Sequence, residues 1–427
     1  MAEHLYRLSS LGTKPGLGRI EKLLTAIGNP EHSLKFVHVG GTNGKGSTSH
    51  IIAEILRMAG YKVGRFTSPH IHSYLERFLV DGQLISSKSL KTYIDKIEEI
   101  INNIFPEGSV RPTEFELLTA IALQWFKDSD VDIAIIEVGM GGLYDSTNVI
   151  IPEATVITSV DLDHVEFLGN SITEVAYNKA GIIKPGVPVI VGEVDFEAFK
   201  VIDKKAITEN APLFLASTVK ILKANSKGLS GYDVDIKMSE KLLENVFFSL
   251  VGSYQLENIT TALTVIEVLG KKGYNITFAQ IIAGLGRLKM PGRLELVSEN
   301  PLVIVDVAHN VHAAKALSKS LNRLLPNQQK VLLCGMVDDK DGYGVLKYLG
   351  EDTSRCIITR PEGRRGQEWI RLKSMWQDLY PEKLVIAIED IDEAVDFALN
   401  ALNSEEYLLI GGSFYVLDKA RRIFTST

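Results

Sequence analysis

Eight residues at the end of an apolar run carry the plainest chemistry in this 427-residue chain: Gly40-Gly41-Thr42-Asn43-Gly44-Lys45-Gly46-Ser47. The run Leu34–Val39 reads as a strand and Ser47–Ala59 as a helix, so the glycines stand where a strand passes into a helix. Glycines let backbone N–H groups approach phosphate oxygens, the helix N-terminus adds partial positive charge, and Lys45 supplies a mobile cation. The spacing departs from the literal Walker pattern. Two residues rather than four separate Gly41 from Gly44, and Gly46 falls between Lys45 and Ser47. A tight turn with an incidental lysine is the plain alternative; the flanking strand and helix favour a phosphate cradle.

Other residues of suitable chemistry stand where apolar runs end. Glu137 closes Val131–Glu137, and a carboxylate ending a buried strand must be paired or bind metal. Ser68 sits in Thr67-Ser68-Pro69-His70, where a turn serine is the simpler reading. His164 follows Asp161-Leu162-Asp163, and Lys179 lies in a helical stretch whose C-terminal dipole a lysine would pair with. Arg293, in Met290-Pro291-Gly292-Arg293, offers a planar fork of donors suited to phosphate. Asn258 and Asp306 each admit a capping role at a helix start. His309-Asn310 follows Asp306 directly.

The elements that must position these groups read as α/β. Runs at Leu34–Val39, Val63–Thr67, Val131–Glu137, Ala154–Ser159 and Val187–Val191 are continuous rather than alternating, as strands buried on both faces are. Helical stretches such as Thr113–Lys127 fill the gaps, which predicts a mainly parallel sheet. The segment Leu213–Phe248 has short alternating pieces and reads as a small antiparallel sheet. A second series follows: Leu302–Val307, Lys330–Gly335, Arg355–Thr359, Lys383–Ile388 and Glu406–Ile410. The expected organisation is a phosphate-binding domain over residues 1–296 and a Rossmann-like α/β domain over 302–427, joined near Glu295–Pro301.

Hydrophobic residues make up 45% and charged residues 23%, ordinary for a globular chain. The formal charge of −7 argues against broad nucleic-acid binding, which needs a basic face. Cys334 and Cys356 lie in apolar strands and read as buried thiols rather than a disulfide. The opening MAEHLYRLSSLGTKPG lacks the apolar centre of a signal peptide, and no apolar run reaches a membrane span. A cytoplasmic protein, without a membrane partner and monomeric, is expected.

The loop Gly-Thr-Asn-Gly-Lys-Gly-Ser resembles that of the Mur ligase superfamily, and its ending resembles the folylpolyglutamate synthase/dihydrofolate synthase branch. Lys14–Ile20, Leu23-Leu24 and Gly28-Asn29-Pro30 are similar to that family's N-terminal signature, and further motifs appear in family order. The resemblance implies an ATP site of Thr42, Asn43, Gly44, Lys45, Gly46 and Ser47 with Asn258, Arg293 and Asp306, and His309 facing the phosphates. It implies Mg2+ held by Ser68, Glu137, His164 and Lys179, the lysine as its carbamate, with a mobile loop at Ser68. Thr113, Glu114, Phe115, Glu116 and Leu143, Tyr144, Asp145 match segments that line the folate site. Many bifunctional bacterial members carry Arg where Leu143 stands, so Leu143 weakens the case for action on dihydropteroate.

The implied reaction is an ATP-dependent ligation. The terminal carboxylate of a folate attacks the γ-phosphate, and the amine of L-glutamate displaces phosphate from the acyl phosphate. Lys45, Lys179 and His309 are the expected catalytic residues, and two domains suggest closure that shields the intermediate from water. Two rivals stand beside this reading. Peptidoglycan Mur ligases place a UDP-binding domain before the loop, where this sequence has 44 residues. A non-ligating P-loop ATPase, kinase or switch would not need the folate-site segments.

Overall fold

The computed structural model describes residues 14–106, 108–363 and 365–425. The leader reading of the first residues therefore lies outside the described residues, apart from Lys14 onward. The chain divides into two compact units. The first holds residues up to 223 with 234–247 and 256–288; the second holds 224–233, 248–255 and everything from Lys289.

The first unit contains β1 (Phe36–Gly40), β2 (Val63–Phe66), β3 (Phe78–Val80), β4 (Gln83–Leu84), β5 (Ile133–Glu137), β6 (Ala154–Ile157), β7 (Val189–Val191) and β8 (Leu213–Leu215). They form one sheet in the order β4-β3-β2-β5-β1-β6-β7-β8. β2, β5, β1, β6, β7 and β8 run parallel, while β3 and β4 add an antiparallel edge. β1 is the pivot: later strands insert beside it on one side and build outward on the other. Ligands of open α/β sheets bind at the carboxyl ends of strands flanking such a reversal.

Helices cover this sheet because their apolar residues recur at helical spacing. In Ser87–Ile104, Leu90, Ile94, Ile97 and Ile101 are buried, and the Ser86 hydroxyl caps the start by accepting from the Ser89 amide. Each such side chain contributes roughly 1.5–3 kcal/mol on burial. This helix packs with Gly18–Ala26 and Glu114–Asp128 over Phe36, Phe66, Phe78 and Ile136. Elsewhere in the same unit, Ile172–Ala180 and Phe196–Thr208 pack over Ile157, Val189 and Val191.

Leu213–Leu215 joins the main sheet as β8 rather than the small sheet expected of Leu213–Phe248. Three residues are too few to show whether an apolar run pairs with its neighbour or with a distant strand. The small sheet is β9 (Lys220–Ser226), β10 (Tyr232–Lys237) and β11 (Leu242–Phe248), in the order β11-β10-β9. Two tight turns, closed by Lys227 on Gly231 and Met238 on Lys241, reverse the chain between them.

The second unit carries β12 (Glu295–Glu299), β13 (Leu302–Asp306), β14 (Gln329–Cys334), β15 (Thr353–Ile358), β16 (Leu384–Ala387) and β17 (Glu406–Gly411). Their order is β12-β13-β17-β14-β15-β16, all parallel except β12. The polar stretch before Pro301 is thus an edge strand, not a linker. Its polarity reflects solvent on an edge, which a sequence scan reads as a join. Cys334 and Cys356 are free and buried, and burial pushes the Cys334 thiol up to about 12.

Candidate functional site

The phosphate loop leaves the carboxyl end of β1 and is fastened to the segment that leaves β6. The Thr42 amide donates to the Ser159 carbonyl at 2.9 Å, and the Asn43 amide to the Ser159 hydroxyl at 2.9 Å. The Thr158 hydroxyl donates to the Asn43 carbonyl at 2.6 Å, and the Asp161 amide to the Thr42 hydroxyl at 2.9 Å. Two of the loop's amides are therefore committed to protein partners. The amides of Gly46 and Ser47 lie in the first turn of helix Lys45–Met58, where no intrahelical carbonyl reaches them. Lys45 curls back over the loop, its amine donating to the carbonyls of Gly41 at 3.0 Å and Thr42 at 3.1 Å.

Close approach explains two of the glycines. Gly41 has φ of 140°, and a Cβ there would lie 2.0 Å from Thr158 Oγ1. Gly44 has φ of 83°, and its Cβ would lie 2.3 Å from Asn258 Oδ1. Asn258 is therefore packed on the loop from the first turns of helix Gln255–Lys271, not at a cap.

Glu137 ends β5, buried, with the Ser68 amide 3.4 Å from its Oε2. The loop before β3 is tied down by Glu76, whose carboxylate accepts from the amides of Ile71, His72 and Ser73 at 2.8–2.9 Å. Lys179 is buried in helix Ile172–Ala180, and its pKa falls to about 7. Burial is the main cause, the Lys45 charge adds to it, and Asp163 and Asp161 oppose it. His164 takes a left-handed conformation at the start of Val165–Leu168, its ring 4.0 Å from the Asp163 carboxylate. Ser68 thus meets Glu137, and Lys179 shares its surroundings with Lys45, Asp161 and Asp163. Among the described residues, no three His, Cys, Asp or Glu side chains form a ready metal cluster. The donors suit Mg2+ in part: the Glu137 carboxylate and the Ser68 hydroxyl are hard oxygen donors, a carbamate on Lys179 would add another, and His164 offers an imidazole nitrogen.

Thr113 and Glu116 form a capping box at the start of Glu114–Asp128, and Glu116 also pairs with Arg19 at 3.1 Å. Phe115 stacks on Phe66 with ring centroids 5.7 Å apart and lies where a Cβ on Gly139 would be 2.5 Å away. Burial raises the Glu114 carboxyl, while Arg77 and the Tyr74 hydroxyl draw it down. Leu143 donates its amide to the Asn178 carbonyl at 2.8 Å, and Tyr144 is 57% exposed. Asp145 is buried and accepts from the amides of Met140 at 2.9 Å and Thr147 at 3.0 Å, and from the Thr147 hydroxyl at 2.5 Å.

In the second unit Asp306 ends β13. Its carboxylate accepts from the amides of Leu294 and Ala308, both at 2.8 Å, and from the Tyr254 hydroxyl at 3.2 Å. Burial raises its pKa and Arg293 opposes that. The Arg293 guanidinium lies 5.7 Å from the centre of the Phe414 ring, and the His309 ring lies 5.9 Å from the same ring. Arg293, Asp306 and His309 are thereby gathered at one strand end. The Pro-Gly-Arg turn is held by Glu295, which accepts from the Gly292 amide at 2.7 Å and pairs with Arg421 at 2.8 Å.

Residues 39–266 match the Mur ligase middle domain and residues 292–414 the Mur ligase glutamate ligase domain. The chain belongs to the folylpolyglutamate synthase/dihydrofolate synthase family of Mur ligases. That membership makes it an ATP-dependent ligase. It is 34% identical to the dihydrofolate synthase/folylpolyglutamate synthase of Bacillus subtilis (strain 168), over 96% of this chain and 95% of that protein. A Mycobacterium tuberculosis folylpolyglutamate synthase solved with ADP and AMPPCP has TM-score 0.92 at 29% identity, covering 99% of this chain and 97% of that one. Escherichia coli FolC, solved with DHPP and ADP, has TM-score 0.87 at 30% identity, covering 100% and 97%.

Sequence reasoning missed the residues that hold this ligase's loop: Thr158, Ser159, and Asp161 as a partner of Thr42. It also passed over Tyr254, Glu295 and Arg421, which fix Asp306 and Arg293. Their signal was weak, because hydroxyls after a strand and a salt bridge across 126 positions leave no local pattern. No described helix is long and apolar enough to cross a membrane.

Proposed function

We propose that this ligase adds L-glutamate to the γ-carboxylate of a reduced folate, using ATP and passing through an acyl phosphate. The observation that carries the reading is the Lys45 loop at the carboxyl end of β1 in company with buried Lys179, in a chain that matches both ligase domains. The amides of Gly46 and Ser47 and the Lys45 amine take the phosphates. Thr42 and Asn43 hold the loop's shape; Asn258, Arg293 and Asp306 are assigned to the nucleotide, and His309 to its phosphates. The first compact unit acts as the ATP-binding half and the second, which takes in everything from Lys289, as the ligase half, and a monomer in the cytoplasm suffices.

Ser68, Glu137, His164 and carbamylated Lys179 are the residues assigned to Mg2+, which when bound screens phosphate charge during transfer. A pKa near 7 supports the carbamate, because CO2 adds only to a neutral amine. Thr113 to Glu116 and Leu143 to Asp145 form the folate side. The folate carboxylate attacks the γ-phosphorus, ADP leaves, and the glutamate amine then displaces phosphate at the acyl carbon. Lys45 neutralises charge that grows on the transferred phosphoryl group.

The test is product mass from ATP, Mg2+ and glutamate with either tetrahydrofolate or dihydropteroate. A glutamate-extended tetrahydrofolate is expected. Product from neither acceptor would overturn the reading, and product from dihydropteroate would establish the second activity that Leu143 argues against.

A further inference from the structure

His38 stands on β1, two residues before the phosphate loop, and is fully buried. Its Nε2 lies 2.8 Å from Thr147 Oγ1, and Thr147 Oγ1 lies 2.5 Å from Asp145 Oδ1. Asp145 accepts from backbone amides on both oxygens; burial raises its pKa and these hydrogen bonds oppose that, so the geometry favours the carboxylate as acceptor with the Thr147 proton pointing to it. The hydroxyl has one proton, so its oxygen must receive one from His38. His38 Nδ1 has no partner and is buried, which suits the unprotonated nitrogen. Burial and the Lys184 charge hold the ring neutral, with its pKa lowered to about 3.

We infer that His38 is a positioning residue for the folate side. Its Nε2–H fixes the Thr147 hydroxyl, which fixes the Asp145 carboxylate and, through the Met140 amide, the turn that follows Glu137. One strand then carries both functions: its end opens into the phosphate loop, and its buried imidazole aligns the acid assigned to the folate side. This inference rests on the assignment of Asp145 to the folate side.

Two measurements test it. In protein labelled with 15N-histidine, His38 should show a protonated Nε2 and a bare Nδ1 unchanged from pH 5 to pH 9. The opposite tautomer, or titration near pH 6.5, would overturn the relay. In kinetics, His38→Phe keeps the ring but removes the donor, and Thr147→Val removes the hydroxyl. Each should raise the folate KM about tenfold, as loss of one buried hydrogen bond does, with the ATP KM unchanged. The double variant should be no worse than either single one, and His38→Gln, which keeps a donor, should recover most of the loss. A folate KM within twofold of wild type in variants with normal melting temperatures overturns the role. So does an equal rise in both KM values, or a folded His38→Gln without recovery. If wild type extends no folate, the functional reading fails instead, and the NMR result still decides the relay.

Discussion

Lys45 and Lys179 show how the same side chain does opposite work. Lys45 donates to the loop carbonyls of Gly41 and Thr42, and the proposed function casts it as the cation that meets phosphate. Lys179 is buried near it, and the two charges repel, which helps strip the proton from the buried amine. Lys45→Ala should lower turnover at least about a hundredfold with little change in melting temperature, since it removes charge stabilisation and little packing. Near-normal turnover would refute the loop assignment. Lys179→Ala should be inactive and regain part of its activity with short carboxylic acids, read as ADP release with and without the additive. With the pKa lowered to about 7, the neutral amine predominates above pH 7. Carbamylation at fixed total bicarbonate, followed by 13C NMR, should therefore fall as pH drops through 7.

At the scale of elements, the loop is a strand-to-helix connection clamped by the next strand's exit. Gly41→Ala tests that clamp. A Cβ at 2.0 Å from Thr158, in a backbone conformation that side chains avoid, must push the two segments apart. A loss of about 2–4 kcal/mol by chemical denaturation, with weakened ATP binding, is expected. An unchanged midpoint would show that the segment after β6 yields freely. A second element carries a cost rather than a constraint. Lys330 on β14 is buried, its amine has no hydrogen-bond partner, and burial lowers its pKa to about 8, with Asp352 and Glu351 opposing the shift. Between about pH 8 and 10.5 the unfolded chain binds the proton and the native chain does not, so native stability rises with pH there. The penalty is complete below pH 8. Lys330→Met should therefore raise the melting temperature at pH 7 and flatten its rise between pH 8 and 10.5.

For the whole molecule, the expected behaviour is that of a three-substrate ligase. ADP should be released only when a pterin acid and glutamate are both supplied. A kinase would release it with one acceptor, and an idle ATPase would need neither. A coupled ADP assay with single omissions separates the three, and equal rates without glutamate would reject ligation.

The sequence by itself determined the two α/β series, the phosphate loop and the order of the family motifs. These rest on local periods and short contiguous patterns, which survive without a structure: Lys35 to Ser47 reads as strand, loop and helix in any frame. It did not determine that Leu213–Leu215 extends the main sheet or that Glu295–Glu299 is an edge strand, since partner choice is not encoded in a three- or five-residue run. Only the tertiary structure decided that Lys179 is buried beside Lys45, that Thr158 and Ser159 clamp the loop across 115 or more positions, and that His38 reaches Asp145 through Thr147. Burial and hydrogen bonding between distant segments set the pKa values and hold the geometry. Those quantities belong to the packed chain, because desolvation exists only once the elements have closed on one another.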